Sequence, residues 1–120
     1  MLKPLPTTGL VDERFRRRFA DGYISLTLWF DEDEEILAVE IIFDLLVDEH
    51  AFRWIRNTKA RYVKVDMGGV KPGRHNKQVL GAENLPMPLS RLEDFDARSS
   101  NLLPVWRDFI LGKLIELIES

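Results

Sequence analysis

The residues best suited to chemistry lie in the middle of the chain, where a basic segment follows an acidic one. Residues 31–49 hold nine carboxylates and no Lys or Arg, whereas residues 53–77 hold eight cationic side chains and the single acid Asp66. Cationic surfaces that also carry aromatic rings, here Trp54 and Tyr62, can bind single-stranded nucleic acid, because phosphates pair with the cations and bases stack on the rings. The candidate residues for such an anion or nucleic-acid face are Arg53, Arg56, Arg61, Lys64, Lys71, Arg74, His75 and Lys77.

A glycine-containing loop at residues 68–77 could hold an anion. Glycine allows backbone amides to approach a ligand closely, and Lys71, Arg74 and His75 add cationic or polar groups. The loop lacks the Gly-Lys-Ser/Thr ending of a phosphate-binding P-loop, and no helical pattern follows it directly. A turn between two strands needs the same glycines and Pro72, and it is the favoured interpretation. The loop therefore supports an anion site as one alternative and a plain connection as the other.

The sequence carries no recognisable metal or catalytic motif. It has no cysteine, and its two histidines, His50 and His75, do not form a close pair. Residues 31–35 lack the glycine and the final glutamate of a calcium-binding EF-hand loop, so we interpret them as a solvent-exposed hairpin tip. No serine lies in the motif that exposes a hydrolase nucleophile. These patterns predict no cofactor and no metal, and they favour binding over catalysis.

Two apolar-alternating segments flank this acidic tip and predict a β-hairpin from residue 23 to residue 43. A four-residue loop would pair Leu28 with Leu37, Leu26 with Val39 and Ile24 with Ile41. Because side chains in a strand alternate between faces, all six would then share one face of the sheet. We expect these side chains to be buried together.

The segments on either side of the hairpin predict short helices and further strands. Asp48 precedes an apolar pattern that predicts an N-capped helix of two to three turns, ending near Arg56. Residues 11–19 have apolar side chains four apart and predict another short helix. Residues 60–67 alternate again and predict a third strand, and residues 77–80 predict a short fourth strand.

Two helices are predicted in the last third of the chain. Ser90 and Glu93 have the spacing of a capping box and predict a helix over residues 91–98. Pro104 suits the first turn of a C-terminal amphipathic helix. The apolar face of that helix comprises Trp106, Phe109, Ile110, Leu114, Leu117 and Ile118. The sequence thus predicts one α+β domain over residues 1–120, with an antiparallel sheet of about three to five strands in a hairpin or meander, packed by the C-terminal helix and one or two short helices.

Several segments resemble a family of small uncharacterised bacterial proteins. They are residues 38–44 (Ala-Val-Glu-Ile-Ile-Phe-Asp) with the following Trp54, residues 65–68 (Val-Asp-Met-Gly), and residues 108–114 (Asp-Phe-Ile-Leu-Gly-Lys-Leu). Together they touch the stretch from residue 23 to residue 117. The chain departs from the family at Val39, where members carry an aromatic residue, and at Met67, where they carry a second acid. The resemblance implies a bacterial origin and a compact domain, and it implies no activity.

Composition restricts the classes of function that remain. The chain has 120 residues, of which 45% are hydrophobic and 31% charged, with a net charge of −3. No apolar run has the length of a signal peptide or a membrane span, so we expect a cytoplasmic protein that does not enter a membrane. The negative net charge makes nucleic acid a less expected partner than protein.

We therefore expect a non-enzymatic binding or accessory protein that acts through a protein partner, alone or as a small homo-oligomer. One alternative is a small-ligand-binding or anion-binding protein, or an enzyme, with a pocket near residues 61–77 formed by Arg61, Asp66, Arg74 and His75. The other alternative is a single-stranded nucleic-acid binder that uses the basic residues of segment 53–77.

Overall fold

A computed structural model describes residues 1–5, 15–65 and 83–120 and shows an antiparallel sheet with two helices. The strands are β1 (Lys3–Pro4), β2 (Arg16–Ala20), β3 (Ile24–Phe30), β4 (Ile36–Phe43), β5 (His50–Ile55) and β6 (Arg61–Lys64), and the helices are α1 (Leu89–Arg98) and α2 (Pro104–Glu119). Each strand pairs with the next along the chain, in the order β1 to β6. The predicted α+β fold class is confirmed, with six strands in the described residues where about three to five were expected.

The β3–β4 hairpin forms, but its register differs from the predicted one by two residues. Leu26 pairs with Ile41, and Leu28 pairs with Val39. A bulge next to Phe30 leaves Leu37 without an opposite residue, and the Leu37 side chain is exposed. A shift of two residues keeps each side chain on its predicted face, so the predicted burial of the four paired residues is confirmed. The predicted burial of Leu37 is wrong, because the bulge turns it outward.

This register predicts unequal effects of two similar truncations in β4. Val39→Ala should lower the free energy of unfolding by about 1.5 kcal/mol, because two buried methyl groups are lost. Leu37→Ala removes more atoms but should cost less than Val39→Ala, since Leu37 is 38% exposed whereas Val39 is fully buried. Urea unfolding followed by circular dichroism measures both values. A larger loss for Leu37→Ala would contradict the bulge.

Two segments predicted as helices are strands. Residues 50–55 pair with β4 on one side and β6 on the other, and residues 16–20 pair with β3. In β5 the adjacent residues Ala51 and Phe52 are both fully buried, on opposite faces of the sheet. A short helix with one apolar face cannot bury neighbouring residues in this way, whereas an interior strand can. The preference of Asp48 for a helix N-cap is therefore overridden by pairing with strands on both sides.

The predicted strand over residues 60–67 is confirmed at β6, and residues 66 and 67 lie outside the described part of the chain. The predicted strand at residues 77–80 also lies outside it, as do residues 11–14 of the predicted first helix. Val63 and Tyr62 are buried on opposite faces, as their alternation requires. Residues 84 and 85 line the outer edge of β6, where the Leu85 amide donates to the Tyr62 carbonyl at 2.7 Å and the Asn84 side-chain oxygen accepts the Tyr62 amide at 3.0 Å.

Both predicted helices in the last third of the chain form. Helix α1 begins at Leu89 after Pro88, with no side-chain cap, so the predicted capping role of Ser90 is wrong. Pro104 occupies the first turn of α2 as predicted.

No helix in the described residues is long and apolar enough to cross a bilayer.

The main core lies between one face of the sheet and the two helices. Helix α2 contributes the fully buried Ile110 and Leu114. Its Trp106 contacts Phe30, with ring centroids 5.4 Å apart. The opposite face of the sheet carries a smaller buried cluster of Ala51, Val63 and Val65, against which Ile42 packs.

Candidate functional site

Three described residues of the predicted basic face are paired with carboxylates of the acidic segment. Arg53 binds Glu40 at 2.7 Å, and Lys64 binds Asp48 at 3.2 Å. Arg56 binds Asp31 at 2.9 Å and also donates to the Ile36 carbonyl at 3.0 Å. The two oppositely charged segments therefore meet in space, since they lie on neighbouring strands and turns.

These basic residues also do not share one surface. Arg53 and Arg61 are opposite each other in the β5–β6 pair, on the face away from the helices. Arg56 instead borders a cleft beside Trp54, on the helix-covered side. The remaining candidates, Lys71, Arg74, His75 and Lys77, lie outside the described residues, as do Asp66 and the loop at 68–77. We still predict that nucleic acid is not the partner. The placement of Arg53 and Arg56 on different faces of the sheet favours this prediction.

The acidic hairpin tip has a structural explanation. Glu32, Asp33 and Glu34 are exposed as predicted, and the Asp31 carboxylate accepts the backbone amides of Asp33 and Glu35 at 2.9 and 3.0 Å. The amide of Glu35, followed by the Arg56 guanidinium, lowers the pKa of Asp31 below its ordinary value. Within the described ranges, no three His or carboxylate side chains are grouped closely enough to hold a metal ion.

The most unusual surface lies at the other end of the sheet. It consists of Tyr23, Leu46 and Val47, whose side chains are 65%, 84% and 83% exposed, and we call it the apolar end. The β2–β3 turn that carries Tyr23 and the β4–β5 turn that carries the other two residues are joined by a hydrogen bond from the Leu45 amide to the Tyr23 carbonyl at 3.0 Å. Single exposed apolar residues are common on proteins, whereas here three lie on two turns that are hydrogen-bonded to each other.

The β4–β5 turn is held in a conformation that its aliphatic residues do not favour. Leu46 has φ of 63° and Asp44 has φ of 56°, which is the left-handed region. A bulky residue there costs about 1 kcal/mol, so surrounding contacts must fix the backbone. The Glu49 carboxylate does so, because it is 4% exposed and accepts the Leu46 amide at 3.1 Å. The Asp44 carbonyl adds bonds from the amides of Val47 and Asp48.

Helix α1 stabilises the β4–β5 turn through Arg91. Arg91 donates to the Asp44 carboxylate at 2.8 Å and to the Tyr62 hydroxyl at 2.9 Å, and its guanidinium lies 4.9 Å from the centre of the Phe43 ring. The bond from Arg91 lowers the pKa of Asp44. The His50 ring stacks on Tyr62 with ring centroids 5.4 Å apart. These polar groups therefore bind one another and fix the turn.

Helix α1 also stabilises the neighbouring β2–β3 turn, through Arg98. Arg98 donates to the buried Asp21 carboxylate at 2.9 Å, and its guanidinium lies 4.5 Å from the centre of the Tyr23 ring. Asp21 also accepts the amides of Tyr23 and Ile24 at 2.9 and 3.0 Å. Burial alone would raise the pKa of Asp21, but these amides and Arg98 outweigh it and lower that pKa. Both turns of the apolar end are thus fixed by arginines of one helix.

Sequence reasoning did not identify the apolar end. The only signal was three consecutive aliphatic residues, at positions 45–47, between Asp44 and Asp48 in a stretch assigned to no element. The exposure of Leu46 and Val47 depends on the β4–β5 turn. The sequence analysis did not predict that turn, because it assigned residues 48–56 to a helix. Comparison with known proteins adds nothing to this assignment, since no family model, no curated protein and no solved structure matches the chain.

Proposed function

We propose that this chain is a non-enzymatic binding domain whose apolar end inserts into an apolar groove of a protein partner. The observation that carries the proposal is the exposure of Leu46 and Val47 on a turn held in a strained backbone conformation. Strain that the surrounding structure maintains is typical of functional sites. A surface that is already rigid also loses little conformational entropy on binding.

The charges around the apolar end favour a protein over a lipid surface. Its rim carries the exposed Asp44 and the exposed pair of Asp48 and Lys64. An anionic membrane would attract a belt of Lys and Arg and would repel these carboxylates. A protein interface commonly has an apolar centre with a polar rim of mixed charge, which is the arrangement here.

The neighbouring polar groups support binding rather than catalysis. Arg91, Asp44, Arg98 and Asp21 are each committed to ion pairs that fix the two turns. The resemblance to small bacterial proteins implies no activity, and a bacterial, cytoplasmic setting remains part of this proposal. A second copy of the chain is one protein that could supply the groove, and sedimentation velocity would detect it.

Leu46→Gly is the variant that separates binding from folding. Glycine adopts a positive φ without strain, so this change should keep or raise stability while it removes the exposed side chain. Val47→Ser completes the loss of apolar surface. We expect the double variant to unfold at an unchanged or higher urea concentration and to bind the partner at least about tenfold more weakly, since two buried aliphatic side chains contribute more than 1.4 kcal/mol.

The partner is first recovered from source cells with the tagged full chain, and its affinity is then measured with purified components by calorimetry. Val105→Ser is the matched control, because Val105 is an exposed valine on α2, away from the apolar end. It should leave the affinity unchanged. Equal binding by the double variant and the wild type would refute the proposal. Flotation with anionic vesicles that depends on Val47 would point to lipid and would also refute it.

A further inference from the structure

We infer that a cleft beside the acidic hairpin tip binds a small organic amine with an apolar body. The cleft lies between the start of β4, the end of β5 and the first half of α2, and its volume is about 510 Å³. Pockets for small organic ligands typically have volumes of about 300–1,000 Å³, so an amine of this kind fits the space. The lining combines two carboxylates with three aromatic rings, those of Glu34, Glu35, Trp54, Trp106 and Phe109.

The unpaired charge of the lining is negative. Its two cations already have carboxylate partners outside the lining: Arg56 binds Asp31 at 2.9 Å, and Lys113 binds Glu116 at 3.5 Å. The two lining glutamates are exposed, and no cationic side chain in the described part of the chain pairs with either of them. Once the paired charges are set aside, two carboxylates remain, and they select a cation.

Both glutamates project from a turn whose backbone is fixed. The Asp31 carboxylate accepts the Glu35 amide at 3.0 Å, and the Asp31 carbonyl accepts the Glu34 amide at 3.0 Å. The Glu35 carbonyl in turn accepts the Asp31 amide at 2.9 Å. A primary ammonium has three N–H donors, so it can donate to both carboxylates at once.

The aromatic lining supplies a wall for the apolar body of the ligand. The rings of Trp54 and Phe109 meet at 69° with centroids 5.1 Å apart, and the Lys113 ammonium lies 4.8 and 5.4 Å from their centres. That corner therefore already holds a cation of the chain itself. The rest of the wall is formed by Trp106 and by Ile36, which directly follows the two glutamates in the chain. An apolar body contacts this part of the wall when the amine is bound to the carboxylates.

The N-terminus of α2 opposes a cation but does not cancel the two carboxylates. A helix N-terminus carries the equivalent of about half a positive charge, on amides that have no partner. Here Pro104 has no amide hydrogen, and the amides of Trp106 and Arg107 both donate to the Leu103 carbonyl at 3.0 Å. The negative charge of the glutamates therefore exceeds the positive charge of the helix end.

The cleft is independent of the function proposed for the apolar end. The seven residues of β3, or roughly 23 Å, separate the hairpin tip from the turn that carries Tyr23. Loss of amine binding would therefore leave the proposed function intact, and failure of the proposed function would leave the cleft intact.

The test is a titration of the isotope-labelled full chain with phenethylamine, which is protonated at neutral pH, followed by NMR at constant ionic strength. We expect saturable shifts of the Glu35 and Ile36 amides and of the Trp106 indole. Phenethyl alcohol should bind about fivefold or more weakly, because it has the same ring but no charge. Methylammonium should also bind more weakly, because it has no apolar body. If either compound bound as tightly as phenethylamine, or if the shifts did not saturate, the inference would be overturned.

A double variant, Glu34→Gln with Glu35→Gln, removes the charge and keeps the size of both exposed side chains. It should weaken phenethylamine binding about fivefold or more. The matched control is Glu32→Gln with Asp33→Asn, which removes two exposed carboxylates from the same tip, neither of which lines the cleft. The control should change the affinity less than about twofold, since exposed charges farther from the ligand are screened by salt. Equal weakening by both double variants would show that only net charge is being read, and would overturn the site.

Discussion

Leu114→Ala is expected to lower the free energy of unfolding by about 3 kcal/mol, a large share of the stability of a domain of this size. Leu114 is fully buried on the face of α2 that meets the sheet, next to the fully buried Ile110. Truncation removes the transfer free energy of the lost methyl groups and leaves a cavity that the sheet cannot fill. Urea unfolding, followed by far-ultraviolet and near-ultraviolet circular dichroism, measures the loss.

The adjacent residue of the same helix provides the control. Ile115 is exposed, so Ile115→Ala should change the free energy of unfolding by no more than about 0.5 kcal/mol. Alanine has a higher helix propensity than isoleucine, which offsets part of any small loss at Ile115. If the two variants lost equal stability, α2 would not be docked on the sheet through the face that carries Leu114.

Asp21→Ala is expected to cost about 2–3 kcal/mol at neutral pH. The change leaves Arg98 without one of its two carboxylates and removes the acceptor of the Tyr23 and Ile24 amides. Losing an acceptor from a partly buried, charge-assisted network costs more than losing an exposed ion pair. Asp48→Ala is the control, because the Asp48–Lys64 pair is exposed and should contribute less than about 0.5 kcal/mol.

The contribution of Asp21 should also depend on pH. Its pKa in the folded protein is lower than the ordinary value of 3.8, so the folded state binds the proton less tightly than the unfolded state. The stability that ionised Asp21 provides is therefore complete above about pH 5 and is lost as the pH falls through the folded pKa. The difference between wild type and Asp21→Ala should be constant from neutral pH to about pH 5 and should shrink below about pH 4. A difference that grew on acidification would contradict the lowered pKa.

Local periodicity was enough to predict the parts of the fold that bury one face. The apolar face of α2 repeats with helical spacing, and β3 and β4 alternate with strand spacing, so each pattern indicates both the element and its buried side. The register of the hairpin was missed by two residues because Asp31 organises a longer turn and because a bulge extrudes Leu37. Neither effect changes the alternation that the sequence displays.

Only the tertiary structure decided what β5 is and, with it, where the candidate surfaces lie. β5 is an interior strand between β4 and β6, and its adjacent residues Ala51 and Phe52 are buried on opposite faces of the sheet, so its sequence shows no single apolar face. The β4–β5 turn follows from this pairing, and it exposes Leu46 and Val47. The same pairing brings Glu40 to Arg53, so this cation of the basic segment is paired with an acid of the acidic segment in the fold. The sequence determined which charges and apolar residues exist, while contacts between distant segments determined which of them reach solvent, because exposure is a property of packing.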